Sequence, residues 1–85
     1  MKPQDIIKNK PYLAWDVKDP DKLSDSSVLE HVLNYGNWDD VQRYIKIVGL
    51  KDTASLFTKR SQQSRSNYLP EIVYFFRNYF RKHAS

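Results

Sequence analysis

The chain has no cysteine, only two glycines, and no apolar run approaching the roughly 18 residues of a membrane span. The first absence excludes disulfides and thiolate metal sites and fits a reducing compartment. The third excludes a transmembrane helix. The opening stretch, MKPQDIIKNK, lacks the apolar centre of a secretory leader, so a cytoplasmic setting is expected. Histidine is scarce too. His31 and His83 stand alone, with no H-x-x-x-H pair, no glycine-rich phosphate loop and no cysteine nucleophile. Asp39 and Asp40 are adjacent carboxylates, but neighbouring helix positions point about 100° apart and do not face one another. No catalytic set can be assembled, and the expectation is that the chain is not an enzyme and carries no cofactor. Asp16, Asp19, Asp21 and Asp25 lack the glycine and the terminal glutamate of a calcium loop. Turn formation and helix capping explain them, and no metal is expected.

What is present is aromatic bulk and an uneven charge. Two Trp, six Tyr and four Phe in 85 residues can fill a small core with few side chains. That matters, because a chain of this size buries only about 60% of its unfolded surface. The net charge is +4, but residues 1–50 balance at −1 and residues 51–85 at +5. The second half is therefore suited to an acidic partner, either nucleic acid or an acidic protein face, or is simply a solvated basic surface.

The hydrophobic pattern is helical throughout and no segment alternates as a strand. Three of the four prolines fall in the first twenty residues, so residues 1–23 read as an extended or turning lead segment with a short helical turn near 5–9. Tyr12, Leu13, Trp15 and Val17 are expected to pin it to the core. A helix is predicted from Asp25 to Tyr35, capped by Ser24 or Asp25, with Val28, Leu29, Val32 and Leu33 on one face. Gly36 supplies a left-handed stop. Asn37 caps a second helix, with Asp40 at capping-box spacing, and Trp38, Val41, Ile45 and Val48 form its buried stripe beside Tyr44. Gly49 closes that helix. A third is predicted from Asp52 to Lys59 or Arg60, with Leu50 packing back on Leu56 and residues 61–67 as a loop. The last, from Pro70 to about Lys82, places Ile72, Phe75, Phe76, Tyr79 and Phe80 on one stripe. The expected fold is all-α, one compact bundle of four main helices behind an extended N-terminal lead, forming a single domain over 1–85.

Helix, glycine and second helix also invite a helix-turn-helix reading, with residues 51–66 facing DNA and Thr53, Ser55, Thr58, Lys59 and Arg60 outward. Two details weigh against it. Bulky Ile45 sits where a tight crossing wants a small residue, and the apolar position of the next helix falls at Leu56, one residue late. The candidate partner- or nucleic-acid-binding residues are Lys51, Thr53, Ser55, Lys59, Arg60, Arg65, Arg77, Arg81 and Lys82. Gln62, Gln63, Ser64 and Ser66 serve as neutral donors.

PYLAWDV, then VLEHVLNYGNWDDVQRYIKIVGLKDTASLF, then a late FFRNYF together resemble a small bacterial family. Its members are short partner proteins encoded just before nucleotidyltransferase-type toxins of the abortive-infection E class. The resemblance covers residues 11–60 and weakens beyond, where SQQSRSNYLPEI replaces a shorter connection. The matching positions are Trp15, Asp16, Gly36, Trp38 and Gly49. The resemblance implies an antitoxin-like role: binding and neutralising a cognate toxin, with operator DNA as an additional target. The alternatives are a small DNA-binding regulator and a structural bundle that dimerises with itself through exposed aromatics.

Overall fold

The computed structural model of the chain describes residues 2–15, 17–63 and 68–84. Five α-helices follow in order: α1 (Gln4–Asn9), α2 (Asp25–Tyr35), α3 (Trp38–Val48), α4 (Leu50–Ser61) and α5 (Pro70–His83). No strand occurs among the described residues. The radius of gyration is 11.9 Å, matching the roughly 12 Å of a compact chain of this length. The all-α bundle read from the sequence is therefore the fold, with its four main helices at α2 to α5.

The lead segment differs from expectation. It is helical, with α1 followed by 3-10 turns at Pro11–Ala14 and Pro20–Lys22. The physical reason is where the prolines sit. Pro11 and Pro20 occupy first-turn positions and Pro3 precedes α1. There the missing N–H is no loss and the fixed φ favours a helical turn. Ile6, Ile7, Leu13 and Ala14 are buried. Gln4 also turns inward, its Nε2 donating to the Leu23 carbonyl at 2.8 Å and to Asp25 Oδ1 at 3.1 Å. Leu13 and the half-buried Val17 pin the segment as expected, but Tyr12 (64% exposed) and Trp15 (85%) face solvent. Asp16 lies outside the described residues.

α2 is the central helix and packs against α1, α3 and α4. Val28, Leu29, Val32 and Leu33 are all buried, and the Ser24 hydroxyl accepts from the Ser27 N–H at 3.1 Å to cap its start. The turn to α3 holds a correction. Gly36 has φ −81° and ψ 169°, an extended conformation open to any residue. Glycine is needed there for space, because a Cβ would lie 2.7 Å from the Val32 carbonyl oxygen and 3.1 Å from Asp40 Cβ. The capping box forms as read: Asn37 Oδ1 accepts from the Asp40 N–H, and Asp40 Oδ2 accepts from the Asn37 N–H, each at 3.0 Å. In α3, Tyr44 is the deepest residue, and its hydroxyl donates to the Asp25 carbonyl at 2.7 Å. Trp38, expected in the buried stripe, is 47% exposed at its rim.

Gly49 alone joins α3 to α4. It adopts φ 104° and ψ 146°, the one positive φ among the described residues. α4 therefore starts at Leu50, two residues earlier than read, and runs to Ser61. Leu50 is inside the helix, not a staple ahead of it. Ser61 of the expected 61–67 loop is helical, and residues 64–67 lie outside the described residues.

α5 docks through rings. Phe76 and Phe80 are buried. Phe57 of α4 meets Phe80 at a centroid distance of 5.4 Å and Phe76 at 6.3 Å. Trp38 lies nearly parallel to Phe76 at 6.5 Å, with Tyr79 edge-on at 5.3 Å. The start of α5 is tied to α2 by the Leu69 N–H donating to Asn34 Oδ1 at 3.2 Å. No described helix is long and apolar enough to cross a membrane.

The two glycines give a paired expectation. Gly49→Ala meets no atom within 4 Å, yet forces an L-residue into a region reserved for glycine, at about 1–3 kcal/mol. Gly36→Ala is conformationally neutral and fails by collision. Urea unfolding of both variants checks this. Both variants are expected to lose stability, and side chains larger than alanine should deepen the loss at Gly36, where the space is filled, more than at Gly49, where it is open.

Candidate functional site

The basic half of the chain folds into α4 and α5, and the structure places its candidate residues in unlike surroundings. Thr53, a candidate contact in the sequence, is 0% exposed, and its Oγ1 donates to the Gly49 carbonyl at 2.6 Å. It braces the α3–α4 joint and is removed from the candidate set. Arg60 is likewise committed. Its Nε donates to Glu30 Oε1 at 2.9 Å and its Nη2 to Oε2 at 3.4 Å, while Glu30 is almost wholly buried on α2. Tyr68 lies beside this pair, and its ring meets Phe57 at 5.1 Å. This is a structural ion pair. Arg65 lies outside the described residues. Lys51, Ser55, Lys59, Arg77, Arg81 and Lys82 are exposed.

Arg77 and Arg81 come together at a groove of about 350 Å³ between α4 and α5. α4 contributes Ala54, Phe57, Thr58 and Ser61, its C-cap Gln62 adds to that wall, and α5 contributes Arg77, Phe80 and Arg81. The helices run antiparallel, since Gly49 to Asp52 share a second depression with His83 and Ala84. The groove follows from the residue pattern. Phe76 and Phe80 point into the core four apart, so Arg77 and Arg81, one position further round, fall together on the flank above α4. On α4 the small side chains Ala54, Thr58 and Ser61 recur at helical spacing and leave that flank low. Among the described residues no aspartate or glutamate lines the groove. Its chemistry is thus two guanidinium forks on one wall, hydroxyl and amide donors on the other, and aromatic edges beneath. Guanidinium pairs of this kind suit carboxylate or phosphate oxygens.

Lys51, Ser55, Lys59 and Lys82 do not line this groove. Lys51 borders the second depression. Lys82 neighbours Arg81 in sequence, and Ser55 and Lys59 stand one helical turn apart on α4. Gln62 was read as a neutral donor. Ser61, Ala54 and Ala84 were missed, and the signal for the first two was the run of small residues on one side of an otherwise basic helix.

The histidines are placed in local roles. His31 Nδ1 donates to the Ser27 carbonyl at 2.8 Å, and the His83 ring lies 4.6 Å from that of Tyr79. Among the described residues no cluster of His, Cys, Asp or Glu could hold a metal. Comparison of the chain with protein-family models, curated proteins and solved structures gives no match.

The engaged and exposed cations separate by stability. Arg60→Ala strands a buried carboxylate and is expected to cost about 3 kcal/mol, whereas Lys59→Ala stays within about 0.5 kcal/mol. Denaturant titration of each checks this.

The ionisable groups also set an alkaline limit. Burial, then the Asp25 charge, pushes the Tyr44 phenol far above its ordinary range, and burial, then the Glu30 charge, does the same for Tyr68. The hydrogen bond to Asp40 raises Lys10 as well. All three hold their protons more tightly folded than unfolded, so their contribution is whole below pH ~10 and drains away above it. Stability is expected to be flat through neutral pH and to fall above pH ~10, by about 1.4 kcal/mol per pH unit for each phenol. Tyr44→Phe should lose about 1 kcal/mol at pH 7 with its hydrogen bond and show a shallower alkaline decline, read by unfolding midpoints against pH.

Proposed function

We propose that the chain is a non-catalytic binding module that neutralises an acidic protein partner by occluding it, in the manner of an antitoxin. The partner class is the nucleotidyltransferase-type toxin implied by the resemblance over residues 11–60. One observation supports the reading: the exposed Lys51, Lys59, Arg77 and Lys82 all lie on α4 and α5, while Arg60, whose charge the fold needs, is sequestered on Glu30. A fold that neutralises one arginine internally and keeps these cations on its exterior offers a basic surface to an anionic counterpart. Occupation of a toxin's acidic metal- or nucleotide-binding residues by these cationic groups would block its chemistry without any reaction on this chain.

A DNA-reading role draws less support from the same geometry. The α3–α4 joint is a single residue, shorter than the roughly three- to four-residue turn of the DNA-binding motif. Thr53 is buried and Arg60 is engaged, which thins the face that would read bases. Asp52 in the first turn of α4 opposes phosphate approach.

Co-expression with a cognate nucleotidyltransferase-type toxin is expected to restore growth and yield a co-purifying complex. Arg77→Glu combined with Lys82→Glu should weaken that complex tenfold or more, on the order expected for charge reversal at a contact. Lys18→Glu with Lys22→Glu, the same change in net charge on the lead segment, should leave it intact. Full neutralisation by the α5 double variant overturns the reading.

A further inference from the structure

We infer that the outer face of α5 is a self-association surface, on which a second copy of this chain lays its own α5 antiparallel. The inference goes beyond the functional reading above and stands without it, because it needs only this chain.

Helical spacing defines the face. Phe76 and Phe80 are buried, so the opposite side of α5 carries Glu71, Tyr74, Phe75, Asn78 and Lys82 as one stripe, and all five are exposed. A solvated helix stripe is ordinarily polar along its length. Here the middle is aromatic. Tyr74 is 73% exposed and Phe75 53%. Trp38, 47% exposed, widens the patch with its ring edge-on to Phe75 at 6.4 Å. At roughly 200 Å² per ring, the three offer on the order of 350 Å² per copy. A two-fold pairing doubles that area, and the polar members of the stripe bring it to the roughly 1,000 Å² of a specific interface.

Charge names the occupant. Glu71 lies in the first turn of α5 and Lys82 in the last. No ion pair joins either to another described residue. The helix dipole favours this placement but leaves the rings between the two charges without a role. The charges stand about 16.5 Å apart along the helix. A two-fold axis midway between them sets Glu71 of each copy opposite Lys82 of the other, with Phe75 opposite Asn78. The contact is isologous, so one complementary pair becomes two. Parallel pairing would set like charge on like charge, and the Glu71 carboxylate opposes the phosphates of nucleic acid. Arg77 lies off the seam, on the flank toward α4.

Sedimentation of the purified full chain across a concentration series tests this. A reversible dimer is expected. Glu71→Lys or Lys82→Glu should each weaken it tenfold or more. Both changes in one chain should restore it, because every facing pair is then inverted. Tyr74→Ala with Phe75→Ala should abolish the dimer, whereas Arg77→Glu should leave it unchanged. Circular dichroism of each variant verifies the fold. A chain that stays monomeric at about 1 mM, single reversals without effect, or a double reversal that fails to restore association overturns the inference. A monomer whose Tyr74→Ala, Phe75→Ala variant loses the toxin complex also overturns it and assigns the face to the toxin. The sedimentation contains no toxin, so a neutralising monomer rejects the dimer and keeps the function, and a dimer without neutralisation does the reverse.

Discussion

The carboxylate of Asp40 holds the architecture together. It is 1% exposed and reaches two separate pieces of chain. Its Oδ2 closes the start of α3 by accepting from Asn37, and its Oδ1 lies 2.9 Å from Lys10 Nζ, which fastens the end of α1 to α3. Its Cβ and Oδ2 crowd Gly36, so the passage from α2 into α3 must be made by the residue without a side chain. A buried charge is costly unless every oxygen has a partner. Here the partners come from the lead segment and the interhelical turn. The carboxylate therefore cannot be buried until both are in place, and once it is, the directions of α1, α2 and α3 are set relative to one another.

α5 is attached by a different kind of force. Most of its contacts are ring against ring, with Phe57, Trp38 and Tyr68 meeting Phe76, Phe80 and Tyr79 or one another. Aromatic pairs at about 5–6 Å contribute roughly 0.5–1.5 kcal/mol each beyond their burial. They also act as spacers. A helix packed through phenylalanines stands further from its neighbour than one packed through alanines. Where the bulky pairs of α4 and α5 give way to Ala54, Thr58 and Ser61, the separation persists without filling and becomes the groove. The docking of α5 and the candidate site have one cause.

Much of this was legible in the sequence, and the parts that were not share a reason. Helix identity followed from the spacing of Val28, Leu29, Val32 and Leu33 and of Ile72, Phe76 and Phe80, because burial of one face is a periodic signal. The capping box at Asn37 and Asp40 was readable because it is local. The misreadings concern position in three dimensions. Pro11 and Pro20 read as marks of an extended or turning segment because their effect depends on whether they start a helical turn or interrupt one. Thr53 looked like a surface contact because its local bond to the Gly49 carbonyl does not reveal that the side chain is buried, and Arg60 did because nothing nearby in sequence announces Glu30, thirty residues away, as a partner. Trp38 was expected inside from its spacing with Val41, Ile45 and Val48, yet as the first residue of α3 it is held at a rim by partial contact, and Trp15 faces solvent. The groove required knowing that α4 and α5 are antiparallel neighbours, which no pattern within either helix encodes.

The two tryptophans sit in contrasting surroundings, and this equips the molecule with its own optical signal. Trp15 is bathed in solvent, while Trp38 rests on Phe76 with Phe75 and Tyr79 at its edges. Indole emission shifts to the red as water replaces hydrocarbon around the ring. The Trp15 contribution is thus a steady red background. The Trp38 contribution moves when the last helix lifts from the body, so detachment of that helix is visible in the unlabelled chain without an added fluorophore.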